Sequence, residues 1–244
     1  DAMRAGNADR KSELQGKSVD LVGRRVAEKR GRWLPLVHGQ GPLDNEHGFA
    51  DPGEVVVKAR QASDALGGTK MDRPEWLAID PTSRWVYCAL TNNSARGQAG
   101  KPGVDAANPR AGNAMGHIIR WREADDFDGE TFEWDHFVLA GDPANERPEA
   151  RGNIRGDLFA CPDGLAIDAR GVLWIDTDMG PAAMHQGEFQ RLGNNAMLAC
   201  DPASGEVRRF LVGPVNCEIT GAAWTPDGRT MFVNIQHPGE ATRG

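Results

Sequence analysis

The sequence contains no apolar run approaching membrane-spanning length and no charged-then-apolar leader ending in a cleavage site. A spanning helix is therefore not expected. Residue 1 is Asp and the chain stops at Gly244 in what reads as the middle of a repeat, so we expect an internal fragment, in which a missing leader says nothing about destination. Cysteine is scarce. Cys88, Cys161, Cys200 and Cys217 show no Cys-x-x-Cys spacing, which argues against a zinc knuckle or a disulfide scaffold and for buried free thiols. Cys217, beside Glu218, has the alternative reading of a soft ligand. Residues 1 to 32 hold nine Lys or Arg and five Asp or Glu, leaving −11 on the remainder of a chain whose total is −7. That basic arm lacks interleaved aromatics and any nucleic-acid-binding module, so a solvated tail is expected. The acidic remainder suits cations better than polyanions. Gly97-Gln98-Ala99-Gly100-Lys101 lacks P-loop spacing.

What the chain does have is glycine (30), proline (15) and 39% hydrophobic residues, enough for a sizeable core in a turn-rich β protein. Its organising unit begins at Pro74-Glu75-Trp76-Leu77-Ala78-Ile79. Asp80-Pro81-Thr82-Ser83 stops that apolar run, and Trp85 to Leu90 leads back to Thr91-Asn92-Asn93, which predicts an antiparallel hairpin. Because the turn lies at one end, Glu75 must meet the Asn92-Asn93 pair at the other.

The hairpin recurs twice, over residues 162–178 and 218–234: Asp163 stands in the place of Glu75, and Glu218 lies two residues further back, an even offset that keeps it on the same strand face. Residues 33–39, 136–141 and 209–213 read as a shared outer strand, and residues 116–121 and 195–200 as the strand before it. Each repeat thus has four strands. The fold class expected is all-β, a β-propeller of four-stranded antiparallel blades, about two and a half of them here, with the first strand of each lining a central channel. Residues 1–31 stand as an unassigned charged segment and 32–244 as a partial propeller domain. A helix is inserted: Asp51 caps it, Pro52 opens it, Glu54 completes a capping-box-like pair, Gly67 ends it, and Val55, Ala59, Ala62 and Leu66 form its apolar stripe. Residues 94–115, 142–161 and 179–193 are long enough to be lids, binding loops or disordered.

Blade geometry brings the start of strand one and the end of strand two to the same face. This gathers Glu75, Asp163 and Glu218, with Asn92, Asn93, Asp176, Asp178, Asn234 and His237, around one mouth. Ionised carboxylates a few Å apart raise each other's pKa, and a hard cation removes that cost. Carboxylates with carboxamides are the ligands calcium prefers. For any one copy ordinary turn chemistry is the better reading; three copies at equivalent positions favour metal.

Met71-Asp72-Arg73-Pro74-Glu75-Trp76, Thr91-Asn92-Asn93 with Arg96-Gly97, Gly116-His117-Ile118-Ile119-Arg120-Trp121, Cys161-Pro162-Asp163-Gly164-Leu165, Asn216-Cys217-Glu218-Ile219-Thr220-Gly221 and Asn234-Ile235-Gln236-His237-Pro238-Gly239-Glu240 together resemble the PhoX-type alkaline phosphatases. The resemblance runs from about Trp33 to the end and leaves residues 1–31 outside. It implies a six-bladed, calcium-dependent phosphomonoesterase with Ca2+ and Fe3+ in the channel mouth, exported folded by the twin-arginine route to the periplasm or beyond. It makes Glu75, Asp163 and Glu218 metal-site acids, and Asn92, Asn93, Arg96 and His237 motif positions without individual roles. The family's iron-thiolate cysteine lies in an N-terminal half that this sequence lacks, so the piece alone is expected to be inactive.

For the whole enzyme the expected reaction is metal-assisted phosphoryl transfer on small phosphate esters, with Arg96 or Arg73 clamping phosphate oxygens. For each arginine singly, an ordinary structural role is the competing reading. No nucleic acid, no membrane and a monomer are expected. Two other classes stay open: a calcium-dependent lactonase or esterase propeller using the same mouth, and a non-catalytic propeller that binds partners through its face.

Overall fold

The computed structural model describes residues 11–15, 29–124 and 126–238. Of the segment 1–31, only 11–15 and 29–31 fall among these, and Gly239 and Glu240 of the last family motif lie outside them. The chain forms two compact units. One comprises residues up to Lys70 with Glu123–Trp134; the other comprises Met71–Arg122 with Asp135–Gly244. Among the described residues no helix is long and apolar enough to cross a membrane.

In the first unit β1 (Lys11–Gln15) pairs antiparallel with β2 (Lys29–Leu34), and β2 pairs with the opening residues of β6 (Thr131–Leu139), Lys29 facing Trp134. The outer strand expected over residues 33–39 therefore keeps only Trp33 and Leu34. Pro35 has no N–H to donate to a ladder, and Val37 to Gln40 close a turn instead, Gln40 N donating to Val37 O. The inserted helix is two helices, α1 (Pro52–Val57) and α2 (Ala59–Ala65), interrupted at Lys58 (φ −97°, ψ 30°). Asp51 caps α1 by accepting from Glu54 N at 2.9 Å, and Glu54 reaches back to Ala50 N at 2.9 Å, one residue before the cap. Val55 and Ala62 are buried with Leu43 and Phe49, and Leu36 and Leu66 pack against them.

The second unit holds the hairpins. Here β3 (Pro74–Ile79), β4 (Val86–Leu90) and β5 (His117–Glu123) follow one another antiparallel with β6 next to β5, and β8 (Pro162–Ile167), β9 (Leu173–Thr177), β10 (Ala196–Asp201) and β11 (Glu206–Val212) take the same order, each antiparallel to the last. A two-residue β7 (Arg155–Gly156) lies parallel to β11. The last pair is β12 (Glu218–Trp224) with β13 (Met231–Gln236). The innermost strand β8 packs against both β3 and β12, so successive sheets stack through their first strands in β-propeller fashion.

Apolar side chains between the sheets make the core. Tyr87, Ala89, Ile118 and Val138 of the first sheet meet Leu165, Leu173, Ile175 and Leu198 of the second, and Trp174 and Met197 meet Ile219 of the third. The middle strands β4 and β9 are buried along their whole length. β3 differs from its reading, for Trp76, Leu77 and Ile79 are exposed and only Ala78 is buried. It is the edge strand of its sheet.

The three long loops are packed, which overturns the disordered reading. Asp142 and Arg147 of one loop form ion pairs with Arg191 and Glu188 of another, the second pair two-pronged. Met115, Ala150, Ala160, Cys161, Met179 and Leu192 close an apolar cluster among all three.

Candidate active site

Each acid-bearing strand opens with the same local device. Arg73 (φ +49°), Cys161 (φ +52°) and Asn216 (φ +63°) are left-handed non-glycine residues, and each stands two positions before Glu75, Asp163 and Glu218 respectively. Such a conformation costs a non-glycine residue roughly 1–3 kcal/mol and persists only where surrounding structure imposes it. Two of the three precede proline, which biases them toward extended backbone and makes the conformation rarer still. Main-chain bonds lock two of them: Thr91 N donates to Arg73 O at 3.1 Å and Asp178 N to Cys161 O at 2.9 Å. Immediately after, the register shifts between Pro74 and Leu77 and between Pro162 and Leu165, so Glu75 and Asp163 occupy equivalent bulges. Bulges re-aim side chains, and here they turn carboxylates out of the ladder toward one mouth.

Arg73 lies among these acids. Its Nε and Nη2 donate to Glu75 Oε1 at 3.4 and 3.3 Å, its Nη2 to Asp178 Oδ2 at 3.5 Å, and its Nη1 to Asn92 Oδ1 at 3.3 Å. Burial works against its charge, but Glu75 and Asp178 outweigh burial and raise its pKa. All four contacts are long and half-exposed, and a guanidinium held this loosely keeps its planar donor fork available to another oxyanion. Asn92 also donates to Cys161 Sγ at 3.5 Å, and burial pushes that thiol up to about 12.

Around Arg73 the acids repel one another. Burial, then Glu75 and Asp178, raise the pKa of Asp163. Asp178 is raised by burial against the opposing pull of Arg73. Glu218 is pushed up to about 7 by burial and by the charges of Asp178 and Asp163. Deeper in, Asp176 is 3% exposed and rises to about 7 through burial and the charge of Asp163. The nearby backbone N–H of Gly221 offsets this only in part, and Asp176 Oδ1 has no hydrogen-bond partner. Gly221 (φ +59°) forms the bulge of β12 that presents this N–H, and a Cβ on Gly164 would stand 2.6 Å from Asp176 Oδ2. Small residues on both sides admit the carboxylate.

Beside these acids opens a cleft of about 430 Å³, lined by Asp178, Pro181, Asn216, Glu218 and His237, within the size range of small-molecule sites. The donor set fits a hard cation: four carboxylates, three of them destabilised as anions by burial and by each other, with an orphaned carboxylate oxygen behind. They are not drawn into a closed cage, for among the described residues no three His, Cys, Asp or Glu side chains converge as a metal site.

The sequence matches the family described as alkaline phosphatase PhoX over residues 1–239. The chain belongs to the PhoX alkaline phosphatase family. A solved structure described as Pseudomonas fluorescens PhoX in complex with vanadate, a transition state analogue, is 45% identical, with a TM-score of 0.82 over 88% of this chain. The chain spans 38% of the length of that relative. A gluconolactonase from Xanthomonas campestris superposes with a TM-score of 0.36 at 14% identity, too distant to carry an argument. No curated protein matches by sequence. The family match begins at residue 1, so the segment 1–31, left outside the motif resemblance, belongs to it as well.

Within the PhoX frame the expected site residues divide. Glu75, Asp163, Asp176, Asp178, Glu218, Asn92 and Arg73 come together, and His237 (φ +58°) lines the cleft beyond them. Asn93 turns away from its neighbour Asn92, donating to Asp72 Oδ1 at 2.9 Å and accepting from Ala95 N. Arg96 is not a clamp: it is 1% exposed, and its Nε donates to Asp72 Oδ1 at 2.8 Å. A buried guanidinium already paired with a buried carboxylate cannot also reach substrate.

All four cysteines are free and buried, as their spacing implied. Sequence reasoning missed Asn195, a buried hub that donates to Met179 O at 3.0 Å and Cys217 O at 2.9 Å and accepts from Met179 N at 2.7 Å. It ties the end of β9 to the start of β12. Read as an ordinary strand residue, it carried no signal of this.

Proposed function

We propose that this chain supplies part of the active site of a phosphatase that hydrolyses small phosphate monoesters, with Arg73 as phosphate clamp and Glu75, Asp163, Asp178 and Glu218 as cation-holding acids. The observation that carries this reading is one guanidinium held loosely by acids that destabilise one another beside an open cleft, in a chain 45% identical to a structure binding vanadate as a transition-state analogue. Because the chain covers 38% of that relative, we assign the activity to the full-length protein, with further ligands and the rest of a six-bladed ring supplied outside these residues; the piece alone is inactive.

A bound cation supplies neutralising charge for phosphate oxygens and for the acids themselves. Calcium matches the carboxylate-rich, irregular donor set, and ferric iron, which the family resemblance adds, is likewise oxygen-seeking. Cys161, Cys88 and Cys200 do not serve as thiolates, since burial pushes each up to about 12. Arg73 exchanges its long contacts with Glu75 and Asp178 for paired, charge-assisted bonds to phosphate oxygens, which orients the ester. Glu218, pushed up to about 7, would hold a cation in its ionised form, its proton passing to solvent. Export by the twin-arginine route to the periplasm belongs to the same reading, as do a monomeric state and the absence of nucleic-acid and membrane partners.

The test is the full-length protein assayed on a chromogenic phosphomonoester and, in parallel, on a lactone. Hydrolysis of the phosphate ester and not the lactone supports the proposal. The opposite preference would replace phosphoryl with acyl chemistry.

A further inference from the structure

Directly behind Arg73 lies a buried polar cluster that the phosphatase reading leaves unused. Asp72, the preceding residue, is fully buried and every polar contact of its side chain comes from a named donor: Oδ1 accepts from Arg96 Nε at 2.8 Å and Asn93 Nδ2 at 2.9 Å, and Oδ2 accepts from Asn113 Nδ2 at 3.0 Å. Its own N–H donates to Asn108 Oδ1 at 3.0 Å. Arg96 is fixed in turn, its Nη1 donating to Gly103 O at 2.8 Å and reaching Asp105 Oδ2 at 3.4 Å. Asn113 also binds His117 Nδ1 at 3.1 Å, and burial holds that imidazole well below its ordinary pKa, so it stays neutral.

Two of the tethered residues adjoin the mouth. Asp72 is bonded to Arg73, and Asn93 is bonded to Asn92, which accepts from the Arg73 guanidinium. A left-handed arginine before proline does not hold itself. The cluster pins the backbone on one side of Arg73, Thr91 N pins its carbonyl, and the neighbour of Asn92 is pinned by the same carboxylate. We infer that the buried Asp72–Arg96 pair is a positioning device for oxyanion binding: Arg96 acts on phosphate through Arg73 and never touches it. This rests on the reading of Arg73 as the phosphate clamp.

A double-mutant cycle in the full-length protein tests it, with inhibition by orthovanadate as the readout and thermal unfolding as a control for folding. Arg73→Ala should weaken vanadate inhibition strongly. Arg96→Lys, which keeps the charge but loses the fork that binds Asp72 and Gly103, should weaken it about ten-fold while the protein stays folded. In the Arg73→Ala background the Arg96→Lys change should do nothing more. Asn93→Ala, a milder change in the same cluster, should follow the same pattern to a smaller degree and serves if Arg96→Lys does not fold. Multiplicative effects in the double variant, or full vanadate sensitivity in a folded Arg96→Lys protein, would overturn the inference while leaving the clamp intact. If Arg73→Ala itself leaves inhibition unchanged, the clamp reading fails and this inference fails with it.

Discussion

Arg73 and Cys161 share one conformation, φ +49° and +52°, each before a proline and each two residues ahead of a carboxylate, Glu75 and Asp163. They stand just before the first strands of different sheets, β3 and β8, and differ completely in chemistry. What they have in common is backbone geometry, which places the acid that follows into a bulge aimed at the mouth.

The shape of residue 161 should therefore matter more than its thiol. Cys161→Gly relieves the left-handed strain while losing a small buried group, and is expected to fall within about 1 kcal/mol of the parent. Cys161→Val puts a β-branched residue where φ is positive and should cost about 2–3 kcal/mol. Chemical denaturation checks both, and equal stability of the two variants would remove the conformational argument.

Gly164 is required by Asp176. A methyl group there would meet Asp176 Oδ2 at 2.6 Å and Asp176 Cβ at 3.0 Å. Gly164→Ala is expected to cost about 1–3 kcal/mol by overpacking and to displace Asp163, its neighbour in the bulge. Unfolding midpoints together with calcium titrations read the two effects separately.

Substituting the acids should act in opposite directions with and without cation. Glu75→Gln, Asp163→Asn and Glu218→Gln each remove a charge from the proposed ligand set at nearly constant size, and each should weaken calcium binding by at least about ten-fold. In the cation-free protein Glu218→Gln should instead raise the unfolding midpoint, because it ends the repulsion with Asp178 and Asp163. Titration calorimetry and thermal unfolding measure both arms; unchanged affinity in all three variants would return these residues to ordinary turn chemistry.

The same repulsion sets a pH dependence. Glu218 titrates near 7 in the folded chain against an ordinary 4.5, and Asp176 near 7 against 3.8. Groups raised on folding contribute stability that is complete below their unfolded values and lost as pH climbs through the folded ones. In chelator, the unfolding midpoint should therefore fall between about pH 5 and about pH 8, and Glu218→Gln should flatten that fall. Added calcium should raise the midpoint more at the alkaline end, where the acids are ionised. A midpoint that climbs over this range in chelator contradicts the arrangement.

Much of this was readable because it is local. Asp80-Pro81 and the Asp168 turn announce their hairpins by turn chemistry, and both acids accept the backbone N–H groups that such turns require, from Thr82 and from Arg170 and Val172. An acid opens each of the three hairpins, at the same place for Glu75 and Asp163 and two residues further back for Glu218, so the three could be named as one set. The left-handed residues could not, since the residue before proline is biased toward extended backbone. Nor could the separation of Asn92 from Asn93, adjacent amides of which one faces Arg73 and the other Asp72. Arg96 misled because its fate is decided by a carboxylate 24 residues away, a contact no motif spacing displays. Pro35 did carry a local signal against a continued strand, and the repeated apolar phrase masked it.

On our proposal, cations held by these acids enable phosphate chemistry in the full-length protein. The most direct measurement is phosphomonoesterase activity of the full-length protein after exhaustive chelation, with metal content determined on the same sample. Activity should vanish and return with calcium. Magnesium should replace calcium poorly, because it demands tight octahedral geometry and yields its water reluctantly. Full activity in a sample shown to hold no ion would contradict the account.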